Sequence, residues 1–402
     1  MLSNRIESRL AINNGTPVRE TPLPYARQYI DEDDVFAVVQ ALKSDWLTTG
    51  PKISEFESSL ASAVDSEHAT AVSNGTAALH AAMYALDIGP GDEVIVPAIT
   101  FAATANCVLY RGGTPVFADV GADTLLLDPE SAEERITPNT KAIIAVDYGG
   151  QPCDYRSLRR LTETHGLSLV SDACHALGAQ WGGKPVGSLA DLSVFSFHPV
   201  KHITSGEGGA ITTDNFSLNQ RMQTFRNHGI TTDHHQRAKQ GAFFYEMVDL
   251  GYNYRITDFQ CALATSQLEK LSEFVARRRT IAAQYDQAFS EMSGVEPLDV
   301  TFEAYHAYHL YVVKLDLELL APAGRQEVFS ALRAENIGVN VHYIPVYRHP
   351  YYQKLGYEYE CCPVAESIYE SMISLPIFYG MTDDDCSDVI SAVAKVIRYY
   401  TD

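Results

Sequence analysis

The stretch ATAVSNGTAALHAAMYALDIGPGDEVIVP, residues 69–97, decides the fold. It opens on a short β-rich run, and "TAALHAAMYAL" then sets Leu79, Met83 and Leu86 at helical spacing. "GPGD" at 89–92 stops that helix with a turn, and "EVIVP" follows as a second apolar run of strand character. Strand, helix and strand in this order form a βαβ unit, whose crossover leaves the two strands parallel.

The same alternation extends from about residue 70 to 215. A helical "AATANCVLYR", the turn at Gly112–Gly113, strands around "PVFADV" and "KAIIAVDY", and the amphipathic "YRSLRRLTETHG" lead to "LSLVSDACHA" and "DLSVFSFH". The expectation is a large α/β domain with a mostly parallel sheet. Near residue 257 the pattern changes: Thr257 and Gln260 have capping-box spacing, and Phe259, Leu263, Leu268, Leu271 and Phe274 follow a helical period. This predicts one long helix leaving the large domain. After it, "HAYHLYVVKLDL" reads as a strand, "GRQEVFSALRAEN" as a helix and "GVNVHYIPV" as a further strand. The chain is thus divided into an arm over 1–22, a large domain over 23–257, and a linking helix with a small α+β domain over 258–402.

Composition narrows the function classes. The 402 residues are 46% apolar, enough for a sizeable core, and carry a formal charge of −21, which disfavours nucleic acid and anionic membrane as partners. No signal-peptide core and no run of membrane-spanning length is present, so a cytoplasmic protein is expected. Seven cysteines without a C-x-x-C pair read as free thiols. His234 and His235 in "TTDHHQR" lack ligand spacing and read as a solvated loop, so no metal is expected.

Three positions could carry chemistry. In "AVSNGTAAL" a strand-like run reaches Gly75 and Thr76 as a helix begins, so backbone donors, a hydroxyl and the helix dipole could cradle a phosphate monoester; an ordinary polar cap is the alternative. Asp172 stands at the end of an apolar strand, where open α/β sheets place ligands, and a buried carboxylate there calls for a partner, either a neighbouring side chain or a cationic ligand atom such as a protonated ring nitrogen; an Asp capping the next turn is the alternative. Lys201 follows "SVFSF" by a short loop, and burial there would lower its pKa and make it a nucleophile toward an aldehyde, the alternative being a solvated surface charge. An anion cradle, a carboxylate and an amine together are what pyridoxal phosphate requires.

The residues "SNGTAAL", "PAITFAATANCVLYRGGTPVFADV", "DACHALGA", "SVFSFHPVKHITSGEGGA" and "LGYNYRITDFQCALATSQL" resemble the DegT/DnrJ/EryC1/StrS family of sugar aminotransferases over a span from about Tyr25 to the C-terminus. The resemblance implies the aspartate-aminotransferase fold, fold type I. Within the family, "SDWLTTG", "AVDYGGQPCD", "SDACHALG" and "SFHPVKHIT" are most similar to the transaminases of pseudaminic acid biosynthesis. Ser171 and Cys174 stand where many family members carry Glu and Ala.

By that resemblance Lys201 would bond to the aldehyde of pyridoxal phosphate and move the proton, Asp172 would keep the ring nitrogen protonated, and His175 would lie near the ring hydroxyl. Phe101 would stack on the ring, and Gly75, Thr76, Ala77 and Ser196 would bind the phosphate, with Asn253 reaching it from the partner in a homodimer with shared active sites. Tyr25, Asp45, Trp46, Leu47, Thr48, His342 and Tyr343 would face the sugar nucleotide; core packing is the alternative for His175, Phe101 and His342, and interface packing for Tyr25 and Trp46. L-glutamate would donate the amine to C4 of a UDP-linked 4-keto-6-deoxy sugar. A sister branch that removes a sugar hydroxyl carries histidine at the lysine position, so Lys201 favours transamination although His202 is adjacent. The alternatives are a dTDP- or GDP-linked keto sugar and a non-catalytic pyridoxal phosphate protein.

Overall fold

The structure is a computed structural model describing residues 9–231, 241, 243–358 and 361–401; His234 and His235 lie outside the described residues. After helices α1 (Glu32–Lys43) and α2 (Pro51–Ala63) the βαβ pattern begins: β1 (His68–Val72), α3 (Gly75–Ala85), β2 (Glu93–Pro97), α4 (Ala103–Tyr110), β3 (Thr114–Ala118), α5 (Pro129–Glu134), β4 (Thr140–Val146), α6 (Tyr155–His165) and β5 (Ser168–Asp172). A small hairpin, β6 (Gln180–Trp181) and β7 (Lys184–Pro185), precedes β8 (Leu192–Ser196), β9 (Gly209–Thr213) and α7 (Phe216–Phe225).

The main sheet has seven strands in the order β1-β9-β8-β5-β4-β2-β3. β9 runs antiparallel to both neighbours, and the other pairings are parallel. Helices on both faces explain why β2, β4 and β5 are near-continuous apolar runs instead of alternating ones. This is the α/β architecture expected of fold type I. Its consequence is positional: the parallel strands end at Val72, Pro97, Val146, Asp172 and Ser196, so the loops that follow them converge on one edge.

Two departures from the expected pattern have local causes. The single long helix is two, Asp258–Glu269 and Leu271–Phe289, joined at Lys270. Lys270 Nζ bonds Asp31 at 2.5 Å and Asp34 at 2.9 Å, anchoring the joint to the capped start of α1. The Thr257–Gln260 capping box is present. The segment "GVNVHYIPV" is not a strand: it makes one isolated bridge, Asn340 to Ser374. Beyond that point side chains replace the ladder, since Asn340 Oδ1 accepts from Val341 N–H and Tyr148 O–H donates to the His342 carbonyl. "HAYHLYVVKLDL" is regular only at its end, in β12 (Tyr311–Leu315), where it pairs with β10 (Val295–Pro297) and β13 (Met372–Leu375); its earlier part follows the two-residue β11 (Ala304–Tyr305). The helix Arg325–Ala334 forms as expected.

The apolar side chains form two cores. One surrounds the main sheet, and it also takes Ala264, Phe274 and Val275 from the helices after residue 257 and Val346, Tyr347 and Met372 from the C-terminal part. The other joins Ile281, Tyr285, Val313, Leu332 and Val393 to Leu10 and Leu23. The described part of the expected arm, residues 9–22, is tied to the C-terminal part: Glu335 accepts from Ala11 N–H and Val18 N–H, each at 2.9 Å, and pairs with Lys395 at 2.9 Å. Among the described residues no helix is long and apolar enough to cross a membrane.

Candidate active site

Between β1 and α3 the chain turns at Asn74, whose side chain caps the helix by accepting from Ala77 N–H at 2.8 Å, a contact worth about 1 kcal/mol. That bond occupies the Ala77 amide, so of the expected anion contacts Ala77 lacks a free donor, while Gly75 and Thr76 open the helix beside Ser196. A methyl group on Gly75 would lie 3.0 Å from Ser196 Cβ and 3.2 Å from Cys174 Sγ. It would press on both side chains beside the helix N-terminus, where donors and dipole favour an anion. Gly75→Ala is accordingly expected to weaken phosphate-group binding by about tenfold, roughly 1.4 kcal/mol, as read by titrating cofactor into the cofactor-free chain.

Asp172 ends β5 with its carboxylate almost fully buried. Oδ2 accepts from Thr104 Oγ1 at 2.7 Å, which is itself 2.7 Å from Thr100 Oγ1, and Oδ1 accepts from Cys174 N–H at 3.3 Å. The carboxylate is thus oriented by neutral donors and has no cation bonded to it among the described residues. Such an arrangement orients the carboxylate oxygens toward a cationic ligand atom.

Lys201 lies in the loop after β8, with Nζ 3.4 Å from Nε2 of His309. Burial pushes its pKa below the ordinary lysine value, against the opposing pull of Cys174 and Asp172. Burial first, then the Lys201 charge, also drives His175 and His309 well below the usual imidazole range. His175 Nε2 is 3.1 Å from Tyr343 Oη, and its Nδ1 accepts from Gly149 N–H at 3.3 Å. His202 reaches the Ala307 carbonyl at 3.0 Å. Both nitrogens of His342 are engaged, by Ser374 Oγ at 2.8 Å and Asn340 Nδ2 at 3.3 Å, which is the core role of a buried histidine.

Phe101 is 59% exposed with its ring 6.0 Å from that of Tyr343, so it is not core. Tyr25 packs at 5.5 Å from the His342 ring. Asp45, Trp46, Leu47 and Thr48 are exposed and pass the start of the helix Asp258–Glu269, where Leu47 O accepts from Asp258 N–H at 3.0 Å and Thr48 bridges Thr257. Asn253 is exposed beside Asn227. The fold gathers Gly75, Thr76, Ser196, Asp172, His175 and Lys201 at the sheet edge with Tyr343 over them, and leaves 45–48 and Asn253 on the outer face.

Sequence reasoning missed Thr104, His309 and a buried group behind the site. Asp147, one residue past β4, accepts from Cys153 N–H at 2.9 Å, Tyr155 Oη at 2.8 Å and Ser171 Oγ at 2.8 Å. Burial raises its pKa from 3.8 to about 6. The folded chain therefore holds this proton more tightly than the unfolded one: the contribution is fully present below 3.8 and is lost as pH rises through about 6. Its size is about 3 kcal/mol at 1.36 kcal/mol per unit. Thermal unfolding between pH 4 and pH 8 should show this loss in the native chain and lack it in Asp147→Asn.

Residues 28–394 match the DegT/DnrJ/EryC1/StrS aminotransferase family. The chain is 40% identical over 379 residues to the spore coat polysaccharide biosynthesis protein SpsC of Bacillus subtilis, covering 94% of this chain and 97% of that one. The putative sugar aminotransferase Spr1654 from Streptococcus pneumoniae in its PMP form superposes with a TM-score of 0.88 at 32% identity, over 94% of this chain and 99% of that one; its PLP form gives 0.87. Helicobacter pylori PseC, an aminotransferase involved in the biosynthesis of pseudoaminic acid, also gives 0.88 at 32% identity, over 94% of this chain and 100% of that one.

Proposed function

The chain belongs to the DegT/DnrJ/EryC1/StrS aminotransferase family, and from that premise we propose that it moves the amino group of L-glutamate onto C4 of a UDP-linked 4-keto-6-deoxy-N-acetylhexosamine, giving a UDP-4-amino sugar and 2-oxoglutarate. The observation that carries the reading is the buried amine of Lys201 at the same sheet edge as the Gly75 cradle and the Asp172 carboxylate. The likeness to PseC supports the substrate class.

The family cofactor is pyridoxal phosphate, and the residues fit it: a helix N-terminus that a Cβ on Gly75 would crowd, a buried carboxylate held by neutral donors, a buried amine and an exposed aromatic ring. When bound, it supplies an aldehyde for exchange with amines and a protonated ring that takes up the electron pair left when a C–H bond breaks. Gly75, Thr76 and Ser196 would hold its phosphate, Asp172 its ring nitrogen, His175 its ring hydroxyl and Phe101 its ring face. Lys201 Nζ would hold the aldehyde carbon; once the donor displaces it, the same nitrogen takes the proton from the donor Cα and later returns one at C4 of the sugar. Burial lowers the pKa of that nitrogen, which favours its nucleophilic form, and would exclude water from the reacting carbon.

In this reading the enzyme is a cytoplasmic homodimer. Phe243, Met247 and Leu250 are 93%, 65% and 69% exposed beside Asn253, a face whose apolar side chains call for a cover, and a second copy would bring Asn253 to the phosphate. Tyr25, Tyr343 and the 45–48 stretch would face the sugar nucleotide. Supplying UDP- and dTDP-linked 4-keto sugars with L-glutamate and identifying the product by NMR tests the proposal. A UDP-4-amino sugar is expected, and turnover of the dTDP ketone alone would replace the UDP assignment.

A further inference from the structure

His309 enters the site from the C-terminal half of the chain, 108 residues from Lys201, on a short segment held unusually firmly. Ala307 N–H and Leu310 N–H donate to the Gly150 and Gly149 carbonyls at 2.9 and 3.0 Å. Arg278 Nη1 donates to the Tyr308 carbonyl at 3.1 Å and the His309 carbonyl at 3.4 Å. The approach of the two loops is so close that a Cβ on Gly150, whose φ is +100°, would lie 2.9 Å from His309 N and 2.7 Å from the His175 carbonyl. Tyr308 adopts φ +49°, a conformation that side-chain-bearing residues rarely take and that the flanking bonds sustain.

What this scaffold presents is an imidazole, 3% exposed, with Nε2 3.4 Å from Lys201 Nζ and Nδ1 without a hydrogen-bond partner among the described residues. Its neighbours are His175, 4.3 Å away between ring centres, His202 at 5.8 Å, and Arg278; Asp172 and Cys174 act on Lys201 from the other side. With Arg278 near it and little water, this ring is a neutral acceptor toward the lysine. A lysine amine on four rotatable bonds needs such a fixed partner, because during turnover it is released from the cofactor and must stay aimed at the reacting carbon.

We propose that His309 is a positioning residue: its Nε2 accepts a hydrogen bond from Lys201 Nζ whenever that nitrogen is not bonded to the cofactor, and directs its lone pair toward the reacting carbon. The proposal rests on the reading of Lys201 as the reactive amine, and the test separates the two. In the full chain freed of cofactor, acetylation of Lys201 by acetic anhydride across pH, followed by peptide mass spectrometry, gives the titration midpoint of its amine without any substrate. An acceptor favours the ammonium form, so His309→Phe should move the midpoint down by about one pH unit and His309→Gln, which keeps an acceptor, by a few tenths at most. With cofactor and L-glutamate, the first half-reaction should slow by about 30-fold in His309→Phe at little changed KM, and return to within about fivefold of the native rate in His309→Gln. His309→Asn, too short to reach the amine, serves in place of the phenylalanine variant if that one fails to fold. An unchanged midpoint in a folded His309→Phe or His309→Asn chain, or a glutamine variant as slow as these, would overturn the role of His309 alone. Failure of borohydride to fix the cofactor on Lys201 of the native chain would overturn the Lys201 reading and this inference with it.

Discussion

Alanine at position 201 is expected to lower the transamination rate by about 10⁴-fold or more, because in the proposed mechanism one nitrogen would both carry the cofactor and move the proton. The loss should not come from unfolding. The Lys201 backbone is held by its own N–H to the His198 carbonyl at 2.9 Å, and the side chain makes no ion pair among the described residues. Burial lowers the pKa of this lysine in the folded chain, so its stabilising contribution is present above 10.5 and lost as pH falls through the lowered value. At neutral pH the unfolded chain gains a proton that the folded one holds less readily, and Lys201→Ala removes that disadvantage. The cofactor-free variant should therefore melt at or above the native temperature at pH 7, with the difference vanishing above the ordinary lysine pKa. Steady-state rates, melting curves and loss of borohydride labelling at residue 201 check the result together, and a rate within tenfold of native would remove Lys201 from the mechanism.

The second large effect is expected at Asp172. Asparagine there keeps the shape and can still accept from Thr104, but it removes the charge that would hold the ring nitrogen protonated, and a fall of about 10²- to 10³-fold in kcat follows. Thr104→Val should cost about tenfold, since it leaves the carboxylate charged but takes away one oriented donor. In the proposed reading the phosphate would be held by Gly75 and Ser196, away from the Asp172 carboxylate, so cofactor affinity should change far less than rate in both variants. Single-turnover measurements with L-glutamate and cofactor titrations distinguish the two quantities; equal losses in both would mean that Asp172 only anchors.

The ends of the parallel strands were legible because periodicity is local: the apolar runs before Asp172 and Lys201, and the turn at Asn74–Gly75, declare themselves within a few residues. The partners of those residues were not. Thr104 reads as the first turn of an ordinary helix, and nothing near it announces a carboxylate 68 positions later. His309 sits in a run that alternates like a strand, and its meeting with Lys201 depends on how Gly149 and Gly150 dock on residues 307–310. The break at Lys270 and the irregular path of residues 341–346 have the same origin, being set by Asp31, Asp34 and Tyr148 at a distance.

The packing of Leu10 and Leu23 against Ile337 and Val393 has a bearing on how the chain is made. All seven strands of the main sheet lie within residues 68–213, so the ribosome has released the layer bearing Asp172 and Lys201 well before the final helix exists. Residues 10–23 are made before Glu335 and Lys395, so until those partners follow, Leu10 and Leu23 lack the apolar cover they have in the folded chain.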